Sequence, residues 1–154
     1  MENRESVSES FGKYRLTQRL AIGGMAEIFR ARPNVEGAVG KDVVVKRILP
    51  TFSTDERFAA MFVDEASLAV QLDHPNIVRV LSVFEMNNTA YMVMEYEQGR
   101  PLHEILKERK TLPEEELKGM LRPILDGLAA VHAENFIHRD IKPPNIYLRA
   151  DQSP

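Results

Sequence analysis

The sequence predicts an α+β chain: an amino-terminal lobe of five antiparallel strands with one inserted helix, followed by the first part of a helical carboxy-terminal lobe. Three observations carry this. Short β-branched and aromatic runs punctuated by Gly, Pro and Asn recur between Tyr14 and Tyr96. One segment of helical period interrupts them after Ser53, and helical period takes over beyond Gly99.

Tyr14 to Arg32 reads as strand, glycine turn, strand; a loop spans Pro33 to Gly40, and Asp42 to Ile48 is a third strand rich in valine. Ser53 to Glu56 fits a capping box, and apolar Phe58, Met61, Phe62, Ala66, Ala69 and Leu72 follow at helical spacing up to Asp73, ahead of Pro75. Strands at Val78 to Glu85 and Thr89 to Tyr96 close the lobe around the turn residues Asn87 and Asn88. Helices are expected over Pro101 to Lys110 and Pro113 to Asn135. In the second, Leu117, Leu121, Ile124, Leu128 and Val131 share a face that Met120, Leu125 and Ala129 widen. The expected organisation is a polar leader at residues 1–10 without order of its own, a lobe at 11–96, and a hinge with a partial second lobe at 97–154.

Composition narrows the function. With 154 residues, 44% of them hydrophobic, there is material for a packed core. A formal net charge of −3 without a basic stripe argues against a nucleic-acid surface. No cysteine is present, so disulfides, thiolate metal sites and a cysteine nucleophile are excluded, as suits a reducing cytoplasm. Residues 1–10 have no apolar stretch of the kind a secretion signal needs, and no run approaches the ~20 apolar residues of a membrane span, so a cytoplasmic protein without a membrane segment in this chain is expected.

The chemistry lies in four stretches. Leu20-Ala21-Ile22-Gly23-Gly24-Met25-Ala26-Glu27-Ile28 places two glycines between strands. Taken alone, Gly23-Gly24 fits an ordinary hairpin turn. Val43-Val44-Val45-Lys46 ends an apolar strand on a lysine, and Glu65 lies on the following helix, ten residues before Pro75. Tyr91-Met92-Val93-Met94-Glu95-Tyr96 alone reads as a core strand. His138-Arg139-Asp140-Ile141-Lys142-Pro143-Pro144-Asn145 is the specific signal.

In this order and spacing the four stretches resemble the protein kinase family, in particular the bacterial Ser/Thr kinases, over Leu20 to Leu148. The resemblance implies a kinase-like fold and phosphoryl transfer from Mg-ATP to a protein Ser or Thr hydroxyl, with ATP and Mg2+ as cofactors and a protein substrate as partner. Asp140 would orient the acceptor hydroxyl as base, Lys142 would neutralise charge on the γ-phosphoryl, and Asn145 would hold the metal. Lys46 would reach the α and β phosphates and pair with Glu65. ATP contacts would come from Leu20, Ala21, Gly23, Gly24, Ala26 and Ile28 of the glycine-rich loop, from Val44 and Lys46, from the gatekeeper Met94 with Glu95, Tyr96 and Glu97 of the hinge, and from Tyr147. Ala21 and Ala26 stand where the family usually has glycine, Val44 where it has alanine, and Tyr147 where it has leucine. His138 is expected beneath the loop as a structural residue. Lys142, two residues after Asp140, matches the Ser/Thr form of the loop.

No Asp-Phe-Gly occurs in the chain, nor an activation segment or Ala-Pro-Glu element, so the resemblance implies a kinase cut off after its catalytic loop, whose activity alone is not expected. The alternative reading is a catalytically inactive nucleotide-binding or kinase-docking module. An uncovered face through Leu121, Ile124, Leu125 and Leu128 would then favour self-association.

Overall fold

The structure, a computed structural model, describes residues 6–23, 26–34, 40–48, 56–87, 89–151 and 154. The chain divides into two compact units, Met1–Gln71 with Arg79–Tyr96, and Leu72–Val78 with Glu97–Pro154.

The first unit is a six-stranded antiparallel sheet in the order β1-β2-β3-β4-β6-β5, formed by β1 (Ser6–Phe11), β2 (Tyr14–Ile22), β3 (Ala26–Pro33), β4 (Val43–Ile48), β5 (Val80–Met86) and β6 (Thr89–Glu95). The helix α1 (Glu56–Ala69) packs on β5 and β6. Five of the strands are those the alternation predicts. The sixth, β1, falls where a leader without order was expected. It folds back through a two-residue turn in which Gly12 takes a φ of +51°, so that Phe11 pairs with Tyr14. Val7 packs against the core from β1, and Arg47 Nη1 reaches both Glu9 oxygens at 3.2 Å.

Strand alternation sends Tyr14, Leu16, Phe29, Ala31, Val43, Val45, Tyr91 and Val93 to one face, where they form the core of this unit. Glu27 is buried among them with Arg47 Nη2 at 3.1 Å and Arg19 Nη1 at 3.5 Å. Burial lowers the pKa of Arg47, but the hydrogen bonds and charges of Glu27 and Glu9 outweigh it and leave the value raised. The expected capping box at Ser53 to Asp55, the turn residue Asn88 and part of the loop after Pro33 lie outside the described residues.

The second unit contains β7 (Gly99–Pro101), α2 (Leu102–Arg109), α3 (Glu114–Ala133), a 3-10 turn at Pro143–Asn145 and β8 (Tyr147–Arg149). Strands β7 and β8 pair antiparallel, an element too short to show as alternation in the sequence. Their backbones approach so closely at Gly99 that a Cβ there would sit 2.0 Å from the Leu148 oxygen. Three glutamates, Glu114 to Glu116, occupy the first turn of α3 and complement its dipole. Leu102, Met120 and Leu148 make the buried core, with Ile105, Leu106, Leu112, Ile124 and Ile146 around it.

The inward stripe of α3 is Met120, Ile124, Gly127 and Val131, with Asn76 and Ile77 packed over Gly127. Leu121 and Leu125 remain exposed, as an uncovered face requires, but Ile124 is packed inward and Leu117 and Leu121 do not share its inward face, which corrects the expected grouping. A helix apolar over most of its circumference leaves its inward side undecided by periodicity alone.

Candidate active site

In the first unit, register fixes which side chains share a face, since residues directly opposite in an antiparallel pair point the same way. Ala21 pairs with Ile28, Ile28 with Lys46 and Lys46 with Met92. One step along, Arg30 pairs with Val44 and Val44 with Met94. Ala21, Ile28, Val44, Lys46 and Met94 thus line the sheet face opposite the core. The face follows from the core: once Val45 and Val93 are buried, their neighbours Val44, Lys46 and Met94 must project the other way.

Leu20 is half-buried on β2, Ala26 is buried at the start of β3, and Gly23 donates its N–H to the Ala26 oxygen at 2.8 Å, closing the turn that the two glycines predicted. Gly24 lies outside the described residues. Glu95 is exposed, and its backbone N–H is given to the Arg79 oxygen at 3.0 Å. Tyr96 closes this unit with Arg30 stacked over its ring at 4.5 Å, and Glu97 opens the next.

Lys46 and Glu65 are not brought together. Lys46 Nζ lies over the Phe62 ring, 5.9 Å from its centroid, while Glu65 is exposed on α1. Among the described residues no ion pair or hydrogen bond joins the two side chains. A lysine over an aromatic face keeps part of its charge stabilisation without a carboxylate.

In the second unit the loop from His138 to Asn145 is wired within itself. Lys142 Nζ lies 3.1 Å from Asp140 Oδ1. The Asn145 side-chain amide donates to Asp140 Oδ2 at 2.8 Å and to the Asp140 backbone oxygen at 2.9 Å. The Asp140 N–H donates to His138 Nδ1 at 3.2 Å. His138 is exposed, so it braces the aspartate from beside the loop instead of packing beneath it. Arg139 adopts a φ of +66°, a left-handed conformation that non-glycine residues rarely take and that neighbouring contacts must hold in place. The 3-10 turn closes with Asn145 N–H on the Lys142 oxygen at 2.9 Å, and the Ile146 oxygen accepts from Leu102 N–H at 2.8 Å, tying the loop to α2.

The hydrogen bond from Lys142, followed by that from Asn145, holds the Asp140 carboxyl below the usual carboxylate range. The carboxylate is therefore ionised at neutral pH and directed by two donors. Because Asn145 uses its amide nitrogen on Asp140, its Oδ1 is open to a hard cation, for which a neutral oxygen is a fitting ligand. Among the described residues there is no cluster of three or more His, Asp or Glu side chains that could hold a metal unaided. Magnesium commonly takes few protein ligands and completes its shell with phosphate oxygens and water, so a single amide oxygen is compatible with it. Tyr147 is exposed on β8, beside the buried Leu148.

The family model described as protein kinase domain matches residues 14–153. The chain is 36% identical to the tyrosine-protein kinase MasK of Myxococcus xanthus, covering 91% of this chain and 24% of that protein. It is 37% identical to the serine/threonine-protein kinase PknA of Mycobacterium tuberculosis, covering 96% of this chain and 35% of that protein. Among solved structures, PpkA-294 in its apo form superposes with a TM-score of 0.85 at 23% identity, covering 99% of this chain and 60% of that one. The kinase domain of Mycobacterium tuberculosis PknI gives 0.81 at 24% identity, covering 96% and 57%. At these identities the two structures speak for the fold alone. The chain spans between about a quarter and a third of the two curated relatives it matches.

Proposed function

The chain belongs to the protein kinase family, and on that premise we propose that it carries the nucleotide-binding and phosphoryl-transfer residues of an ATP-dependent Ser/Thr protein kinase. The observation that carries this reading is the Asp140, Lys142 and Asn145 constellation. An ionised carboxylate held by two donors can take up or orient the proton of an incoming hydroxyl, and an ammonium group beside it can neutralise charge that grows on the transferred phosphoryl group. Asn145 Oδ1 would hold the metal, and magnesium, when bound with the nucleotide, would screen charge on the phosphates. Lys46 would take the α and β phosphates, with Ala21, Ile28, Val44 and Met94 giving the apolar sheet face to adenine and Tyr147 adding an aromatic surface. Leu20, Gly23, Gly24 and Ala26 would shape the phosphate loop, and Glu95, Tyr96 and Glu97 would present backbone groups to the base. Glu65 is the proposed partner of Lys46 once nucleotide is bound.

Lys142 supports a Ser or Thr acceptor over tyrosine, since the family's Ser/Thr form has lysine two residues after the aspartate. The cytoplasm, which supplies ATP, is the proposed site of action. No described helix is long and apolar enough to cross a membrane. The exposed Leu117, Leu121 and Leu125 of α3 are proposed to drive self-association of the isolated chain.

Calorimetric titration with Mg-ATP beside the Lys46→Ala variant tests the reading. Saturable binding weakened about tenfold or more by the substitution is expected, the loss of one charge-assisted phosphate contact. A folded chain that binds no nucleotide would refute the assignment of a nucleotide site to these residues. Phosphoamino-acid analysis of any labelled acceptor separates Ser/Thr from Tyr transfer. Sedimentation beside Leu121→Glu tests the self-association.

A further inference from the structure

A cavity of about 200 Å³ lies on the first unit, lined by Ser6, Thr17, Gln18, Arg30 and Arg32. It is smaller than the ~300 Å³ at which pockets for drug-sized molecules begin, so it suits one compact group. Among the described residues its lining holds two cations and no anion. The carboxylate that attends them is Asp42, which takes Arg30 Nε on one oxygen at 2.5 Å and Arg32 Nε on the other at 3.0 Å. One negative charge shared by two guanidinium groups leaves an excess of one positive charge. Arg32 is 64% exposed at its side chain and uses only Nε; its terminal nitrogens have no partner among the described residues. The Gln18 side-chain amide likewise has none. Arg30, in contrast, is fixed by Asp42 and by the Tyr96 ring. The site therefore presents a preset cation beside unused N–H donors.

Register places Ser6 in the same row. Ser6 pairs with Gln18, and Gln18 pairs with Arg30, so two strand steps, about 10 Å between Cα atoms, separate the serine from the arginine. The cavity spans this interval, with Ser6 at one side of its lining and Arg30 and Arg32 at the other. The row is also where β1 is least secured. Its Glu9 end is clamped by Arg47, whereas its register shifts between Ser6 and Glu9 and the exposed Ser6 side chain brings no charge of its own to the arginines.

We propose that Ser6 is a phosphorylation site and that the Arg30, Arg32 and Gln18 cavity receives its phosphoryl group, locking the first strand onto the sheet. In the modifying reaction the Ser6 hydroxyl oxygen bonds to the terminal phosphorus of a nucleoside triphosphate. The bond from that phosphorus to the bridging oxygen breaks, releasing the nucleoside diphosphate, and the hydroxyl proton passes to a general base. A phosphoserine facing arginines gains one to three charge-assisted hydrogen bonds and orders the segment that carries it.

The test uses the 154-residue chain with phosphoserine installed at position 6 during translation, so it needs no activity from the chain itself. Phosphorus NMR should show the second phosphate ionisation below its usual pKa of about 6, by roughly one unit, because a neighbouring cation favours the dianion. Amide exchange across β1 should slow about tenfold relative to the unmodified chain, the effect of one or two such bonds. Both effects should disappear in Arg32→Gln, an exposed substitution that leaves the fold intact. A phosphate that titrates normally, with β1 exchange unchanged, would overturn the proposal. So would equal protection of β1 by millimolar inorganic phosphate added to the unmodified chain, since the cavity would then be a site for a free anion.

Discussion

The catalytic loop and the strand-helix pair that carries Lys46 differ in how their functional groups are held. In the loop, Asp140 has Lys142, Asn145 and His138 as partners within five residues of itself, and each contact is in hydrogen-bond range. Lys46 and Glu65 stand nineteen positions apart on β4 and α1, and they do not meet. A short loop carries its geometry in its own backbone turn. A pair bridging two elements depends on the placement of a whole helix, which a ligand or a neighbouring segment can still alter. These two sets of residues are organised over different ranges, one within a loop and one between elements, so they should respond differently to substitution.

The largest effect is expected where the Lys46 strand meets its core. Phe29→Ala empties a nearly fully buried site between β2 and β4 and should cost about 3–5 kcal/mol in denaturant unfolding. If the loop is as self-contained as its contacts indicate, Asp140 should keep its depressed pKa in this variant wherever it remains folded.

Next comes Gly99→Ala, which forces a methyl group against the Leu148 oxygen and should cost about 1–3 kcal/mol, with loss of the β7–β8 amide protection. This change enters the unit that holds the loop and leaves Lys46 untouched. A variant as stable as the parent would show that β8 yields freely and that the loop does not depend on it.

A smaller effect is expected from Lys142→Met, read by carboxyl NMR. Asp140 should titrate higher than in the parent, because the largest cause of its lowered pKa is removed while the Asn145 bond remains. The sign follows from linkage. A folded-state value below the unfolded value of about 3.9 means that the ionised carboxylate contributes stability at neutral pH and loses it as pH falls through the folded value. The smallest effect is expected for Glu65→Gln. With no partner among the described residues and an exposed side chain, it should alter stability by no more than about 0.5 kcal/mol in the nucleotide-free chain. A clearly larger loss would mean that the pair with Lys46 is already formed.

The same contrast of ranges explains what could be read from the sequence. Asp140, Lys142 and Asn145 were legible because eight consecutive residues contain the whole arrangement. Ile28, Val44, Lys46 and Met94 were named only through the family resemblance; their shared face follows from the register of three strands and from the burial of Val45 and Val93, which strand alternation alone leaves open. Strand β1 was not legible. Serine and glutamate are weak strand formers, and pairing with β2 together with the Arg47 clamp overrides that preference. The separation of Lys46 from Glu65 had no local signal at all, since spacing along a chain says nothing about how far a helix stands from a sheet. The brace from His138 to the Asp140 amide could have been suspected, because a side chain two residues away often bonds to backbone in a turn.

Strand β1 also bears on how the protein behaves in concentrated solution. It is the outermost strand of the six-stranded sheet, and such a border can recruit a strand from another molecule. Here the border is written in Ser6, Ser8, Glu9 and Ser10, with an irregular register that breaks its flatness, which makes a poor template for intermolecular growth. Removing residues 1–11 would turn the longer, more apolar β2 into the border. The segment with the least intrinsic claim to structure thus acts as the fold's guard against aggregation.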